Sequence, residues 1–443
     1  MPTRSRTRIR FLYAALGAYP RRHHVNNTPS GSTRPSALLI SREPRFIHAL
    51  ILLVTSGLSV LVLAILGPSL PAMQAHFSGV PNADFLVPLT MTAPMLMMAA
   101  LSVFVGELAD RFGRKRLLVV AAFLYAFVGT APLYLDSLTS IIASRVCLGV
   151  MEAVLMTVST TMIGDYYHGA QREKFMSLQT TVSAASAFLL NNLGGMVAES
   201  GWRMPYAFFA VSLLLVPLMV IFLWEPQTRA AMSDEEFAED SLSFRPRRLV
   251  LVCALAVLTG IAFLMVPVHF GYLYGSIGVQ SPAEIGLAYG LNSLGVIAGT
   301  LLFGWVLARH LKVAYQLASG AALAAFGMML MRSADTYTAL TTAGIVNGLG
   351  CGILLPTMVT WNMRELPVSR RGMGTGAFQS SLFLGMFLNP LLVVALERSE
   401  GVSRAFVTGQ LGVVVMGLAL VALVCGLLSV RFNAMGRRAH AHR

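Results

Sequence analysis

Two charged residues of opposite sign, Arg145 and Glu152, lie in a stretch from Leu138 to Ile163 that is otherwise apolar, small or hydroxyl-bearing. A carboxyl group kept from water favours its neutral form, and one that alternates between dry and wetted surroundings takes up and releases a proton near neutral pH. A guanidinium stays charged even when buried, so it can tune such a carboxyl through water or face an anionic group. The sequence separation of seven puts both side chains on nearly one helix face, some ~10.5 Å apart along the axis, too far for an easy direct ion pair. The chemistry expected is therefore proton carriage by Glu152 under the influence of Arg145. The plainer alternative is that the two only hold neighbouring helices together through polar contacts.

The elements that must position them follow from composition. Of 443 residues, 56% are hydrophobic and only 12% charged, which is far from a soluble domain of this length. Apolar runs of about 20 residues, the length an α-helix needs to cross a bilayer, recur at 47–67, 85–106, 117–135, 138–163, 177–198, 204–224, 249–271, 284–307, 313–331, 337–361, 374–396 and 404–430. Their continuity predicts helices; a membrane barrel would show short segments alternating in polarity. The fold class expected is an all-α membrane protein of 12 transmembrane helices. Glu152 is the only carboxylate deep within a span. A charge at the bilayer centre costs roughly 2.5–3.5 kcal/mol even on a lenient scale, so it must face a cavity or a partner.

The net charge of +13 is explained by topology. If twelve spans alternate, seven regions on one side hold 28 of the 33 Lys and Arg residues, whereas the other side has Arg203, Arg332, Arg398 and Arg404. This bias predicts that both termini are cytoplasmic and leaves no patch to suggest nucleic acid as a partner. The ratio of 30 Arg to 3 Lys suggests a GC-rich bacterium, hence an inner membrane. The cysteines Cys147, Cys253, Cys351 and Cys425 all fall inside apolar runs, so neither paired thiols nor a CxxC metal site is expected. No cluster of His, Asp or Cys ligands, and no nucleophile beside a base, suggests an enzyme, a metal or a cofactor.

Polar breaks divide the chain into a basic, disordered tail over 1–46, a six-helix bundle over 47–224, a linker over 225–248, a second bundle over 249–431 and a tail over 432–443. Landmarks recur between the halves: Gly106 and Gly304 are 198 apart, Gly149 and Gly350 are 201 apart, Arg172 and Arg371 are 199 apart, and Asn191 and Asn389 are 198 apart. Such spacing predicts pseudo-symmetric halves, a common plan for secondary transporters with a site near the midplane.

After the second span comes GELADRFGRKR, residues 106–116, a tight basic turn in which Gly106 and Gly113 are expected to give backbone freedom and close approach. The stretch resembles the loop signature of the major facilitator superfamily, and Arg145 with Gly149 resembles that family's R-x-x-x-G pattern in the fourth span. GWVLARHLK from Gly304 looks like a degraded second copy of the loop. The resemblance covers residues 45 to 432 and is nearest to the 12-span drug and metabolite:proton antiporters, some of which export siderophores. It implies that Gly106, Asp110, Arg111, Gly113 and Arg114 form a gating loop rather than touch substrate. One departure is SAFLLNNLGG in the fifth span, where the antiporter pattern has Gly, Gly and Pro in place of Ser186, Leu190 and Asn191.

Among the remaining intramembrane polar groups, Asn191, Asn192, Asn292, Asn347, Gln379 and Asn389 either line a substrate cavity or tie helices together. His269, beside Tyr272 and Tyr274 near the end of the seventh span, is expected at the membrane interface. The glycines of GIVNGLGCG, Gly344 to Gly352, are expected to allow close helix packing. The function these observations imply is proton-driven efflux of a small organic molecule by a lipid-embedded monomer. Proton-coupled import is the alternative.

Overall fold

In the computed structural model the described residues are 44–167, 169–226, 244–366 and 371–441. Residues 1–43 of the expected N-terminal tail over 1–46, and most of the linker, 227–243, lie outside them. The described residues contain no β-strand, and twelve helices are long and apolar enough to cross a membrane. They are α1 (Phe46–His76), α2 (Ala83–Leu101), α3 (Arg114–Leu133), α4 (Leu138–Tyr166), α5 (Thr181–Ala198), α6 (Met204–Phe222), α7 (Pro246–Ser276), α8 (Pro282–His310), α9 (Val313–Arg332), α10 (Tyr337–Arg364), α11 (Met373–Glu400) and α12 (Arg404–Leu427). Alternation of twelve spans returns the start of α1, the segment between α6 and α7, and the end of α12 to one side, here the linker face. The opposite side is the far face.

Each half is built by the same pairings. In the first, α2 packs on α4, α3 packs on α4 and α6, and α1 packs on α5 and α4. In the second, α8 packs on α10, α9 on α10 and α12, and α7 on α11. The halves meet where α5 lies on α8 and α2 on α11, with α1 reaching α7 and α8.

Lipid supplies no hydrophobic drive for helices to associate, so small residues that let backbones touch decide the packing. On α10, a Cβ added to Gly348 or Gly352 would lie 2.4 Å from the Asn292 carbonyl or 2.1 Å from that of Val296, both on α8; one on Gly350 would lie 2.2 Å from the Ala324 nitrogen on α9. The expected close-packing role of this run is what the structure shows. On α5, the two glycines left in the altered SAFLLNNLGG stretch fit the helix between its neighbours: a Cβ on Gly194 would lie 2.5 Å from the Ile65 carbonyl of α1, and one on Gly195 2.4 Å from the Pro282 carbonyl of α8.

These contacts also revise one landmark. Gly149 on α4 faces the Pro94 carbonyl of α2, and its counterpart by contact is Gly348 facing Asn292 of α8, not Gly350, which faces α9. The new pair is 199 apart, closer to the spacing of the other landmarks.

Two spans run further than the apolar runs suggest. Around Pro68 the first helix tightens into a short 3-10 turn, Gly67–Ser69, and continues as Leu70–His76, because proline is tolerated in the first turn of a new helical segment. Similarly α7 is broken at Leu264 and resumes as Met265–Ser276, with Pro267 in its first turn.

Candidate functional site

The ionisable pair sits on α4, which begins at an N-cap, Ser137, whose hydroxyl accepts from the Ser140 N–H at 3.1 Å. Both Arg145 and Glu152 are 0% exposed, and among the described residues they are the only Asp, Glu, Lys or Arg side chains in the buried class.

Arg145 points within the first half. One terminal nitrogen donates at 2.8 Å to each of the carbonyls of Val128 and Gly129, in the last turn of the regular part of α3. The Val128 carbonyl also accepts from the Ala131 N–H, and both carbonyls lie at the negative end of the helix dipole, where a cation is favoured. The guanidinium carbon lies 5.1 Å from each of the Tyr206 and Phe209 ring centroids of α6, a cation–π sandwich. Phe209 reaches this position because Gly129 has no side chain; a Cβ there would lie 2.4 Å from it. Arg145 thus ties α4 to α3 and α6.

Glu152, two turns further on, has no hydrogen-bond partner on either carboxyl oxygen. It lies within electrostatic reach of Arg145 and of Tyr125 on α3, whose hydroxyl donates to the Leu58 carbonyl of α1 at 2.8 Å. Among the described residues no salt bridge joins Arg145 to Glu152, in keeping with their axial separation.

The basic loop after α2 is not a simple turn. It forms a short helix, Val105–Phe112, that ends at Gly113 with φ of 91° and ψ of 131°, a backbone conformation L side chains rarely adopt. Gly106 lies in ordinary helix with nothing within 4 Å of a would-be Cβ, so here neither space nor conformation requires its glycine. At Gly113 the chain turns into α3, and the carboxylate of Glu225, just beyond α6, accepts from the N–H groups of Arg114 at 2.5 Å and Lys115 at 3.0 Å. An anion is thereby set on the free donors of a helix N-terminus. Arg114 pairs with Asp165 near the end of α4, and Lys115 Nζ donates to the Val220 carbonyl of α6 at 2.8 Å. Arg111 remains exposed over the Phe112 ring, and nothing is described of the Asp110 side chain. The loop therefore fastens α3, α4 and α6 on the linker face. Sequence reasoning missed Glu225 and Asp165 as partners, although a dense basic turn calls for counter-charges at neighbouring helix ends.

Most of the amides make interhelical ties. Asn292 donates to the Gly344 carbonyl at 2.7 Å, joining α8 to α10; Asn347 donates to Ala324 at 3.0 Å, joining α10 to α9. Asn191 reaches Ser293 at 3.1 Å, joining α5 to α8 across the halves, and Asn389 joins α11 to α7. Asn192 donates to its own helix at Phe188, and Gln379 is partly exposed. His269, expected at the membrane interface, is enclosed by protein and 0% exposed. The same segment packs Gly271 against Pro71 of α1, which covers it.

Further polar contacts join the halves at the far face. Arg398 of α11 binds Asp84 at 2.6 and 3.0 Å and Asn82 at 3.0 Å, and Ser281 donates to Glu199 at 3.0 Å. Nearer the linker face, Ser102 meets Ser380 at 2.7 Å. Among the described residues no three His, Cys, Asp or Glu side chains converge as metal ligands would.

This architecture has relatives. "Quinolone resistance protein NorA" of Staphylococcus aureus (strain MRSA252) is 22% identical over 336 residues, covering 75% of this chain and 86% of that protein. The "3-(3-hydroxy-phenyl)propionate transporter" of Escherichia coli (strain K12) is 24% identical over 391 residues, covering 84% of this chain and 94% of the relative. A crystal structure of a D-xylose-proton symporter superposes with a TM-score of 0.69 at 15% identity, covering 85% of this chain and 97% of the symporter, a likeness of fold. The sequence model described as Major Facilitator Superfamily matches residues 52–390, from the first span into the eleventh. The chain is thus a multi-pass membrane protein that belongs to the Major Facilitator Superfamily, whose members carry small molecules across membranes.

Proposed function

We propose that the chain is a proton-driven exporter of a small organic molecule, working as a monomer in a bacterial inner membrane with both termini cytoplasmic. The two six-helix halves alternate access to a site between them. The observation that carries the reading is Glu152: a carboxyl group in mid-span with no exposed surface and two unpartnered oxygens. An ionised carboxylate is costly there, so the group is neutral while enclosed and gives up its proton when the halves rearrange and water reaches it. Arg145, held by carbonyls and aromatic rings, fixes the electrostatic background and the position of α4 rather than contacting substrate. The loop from Gly106 through Asp110, Arg111 and Gly113 to Arg114 gates the linker face. Gln379 and Asn192, which keep some surface, are the amides best placed to meet substrate.

Efflux is favoured by the likeness to a quinolone resistance protein. The second reading, proton-coupled import, is favoured by the likeness to a 3-(3-hydroxy-phenyl)propionate transporter. The test uses purified protein in proteoliposomes with an imposed proton gradient and two probes, a quinolone and 3-(3-hydroxyphenyl)propionate. Export predicts that the quinolone moves against the proton flux and that a protonophore abolishes its accumulation. Movement of the aromatic acid with the proton flux, and none of the quinolone, would reverse the assignment.

A further inference from the structure

The second half encloses an ionisable group that the reading above leaves without a task. His269 Nε2 lies 2.9 Å from Oδ1 of Asn389. Asn389 is oriented by its own nitrogen, which donates to the Ile261 carbonyl at 2.8 Å, so the oxygen is what it turns to the imidazole. An amide oxygen only accepts, which places the ring proton on Nε2 and leaves Nδ1 as a bare lone pair. That Nδ1 is buried and has no partner.

Tyr272 Oη and one terminal nitrogen of Arg404 also make no hydrogen bond of good geometry, and the two side chains lie close enough to interact with each other. Arg404 stacks over the Tyr272 ring at 4.2 Å and holds both oxygens of Glu397, at 2.9 and 2.8 Å. The field of Arg404 acts on both His269 and Tyr272. From the other elements, Glu397 of α11 and Asp84 of α2 also act on Tyr272, and Tyr289 of α8, which donates to the Pro267 carbonyl, is within reach of Tyr272 and Tyr274. Asp84 is the far-face partner of Arg398, next in sequence to Glu397. Buried polar atoms without partners, such as His269 Nδ1, are uncommon and are usually met by ordered water.

We propose that His269 is a second proton-binding residue, housed in the second half and reached through water held among His269, Tyr272 and Arg404, and that proton binding at its Nδ1 loosens the far-face seal. In the sealed arrangement an imidazolium would stand beside Arg404 with Glu397 already engaged, and two neighbouring cations away from water repel. Hydration relieves that repulsion, and it requires α7 to part from α1 and α11 from α2 at the far face. By linkage, acid favours the far-face-open form and base the sealed one.

The test reads conformation, not transport. Full-length protein with its four native cysteines replaced by serine carries spin labels at Ser78→Cys and Ser399→Cys, both exposed at the far-face ends. Their separation is measured in lipid between about pH 8 and pH 5, the window in which an imidazole changes charge. The expected result is a shift to longer distances on acidification, lost in His269→Gln and in His269→Asn. Should the parent show no shift, or either histidine variant that folds shift as the parent does, the proposal is overturned. A failure of Glu152→Gln to abolish proton-driven transport would instead count against the exporter mechanism and leave this site standing.

Discussion

Arg145 and Glu152 share a helix face, yet their surroundings divide their work. Arg145 has two carbonyls and two aromatic faces, so its removal is chiefly a structural loss. Arg145→Ala should lower stability by roughly 1–3 kcal/mol through the hydrogen bonds lost at Val128 and Gly129, read as earlier thermal unfolding in detergent. Arg145→Lys should recover only part, since an ammonium lacks the planar face that lies between Tyr206 and Phe209. Equal stability of both variants and the parent would refute the tie. Glu152 has no such partners, so Glu152→Gln should fold normally. The presence of this pair was legible because charges inside an apolar run are conspicuous. The division of roles was not, because Arg145 takes its partners from residues 128, 129, 206 and 209, which no local pattern connects to it.

At the scale of elements, all twelve spans were legible, since bilayer thickness fixes helix length and leaves little freedom to the sequence. Their partners were not. The glycines of α10 announced close packing, but whether Gly350 meets α8 or α9 depends on helix rotation, which a one-residue difference changes by about 100°. His269 looked interfacial beside its tyrosines; only the fold brings up Asn389, 120 residues away, and Pro71 against Gly271. The glycine contacts make a sharp prediction. Gly350→Ala, with backbone 2.2 Å from the new methyl group, should cost about 1–3 kcal/mol of stability by overpacking, whereas Gly106→Ala, facing open space, should cost nothing measurable. Gly113→Ala should be costly for a different reason, its positive φ. Thermal unfolding of the three variants separates these cases, and a destabilised Gly106→Ala would show a contact absent from this arrangement.

For the whole molecule, the issue is how two halves fastened at the far face exchange one opening for another. The fastening is modest: the Arg398–Asp84 pair is exposed to solvent, which screens it, so it shifts the sealed population by a few-fold at most. Arg398→Ala should therefore raise the far-face-open fraction a few-fold, seen as slower crosslinking between cysteines at the ends of α2 and α11, without unfolding the protein. An unchanged rate would show that the α5–α8 and α1–α7 contacts alone hold the seal. A weak seal suits a carrier, because the energy that turns it must come from binding a proton or substrate and is itself only a few kcal/mol. The central claim is that Glu152 carries the proton that drives this exchange. It is tested most directly by comparing Glu152→Gln with the parent in proteoliposomes, measuring accumulation under an imposed proton gradient and, in the same preparation, substrate exchange without one. The account predicts that the variant loses gradient-driven accumulation and retains exchange; accumulation at the parent's level would contradict it.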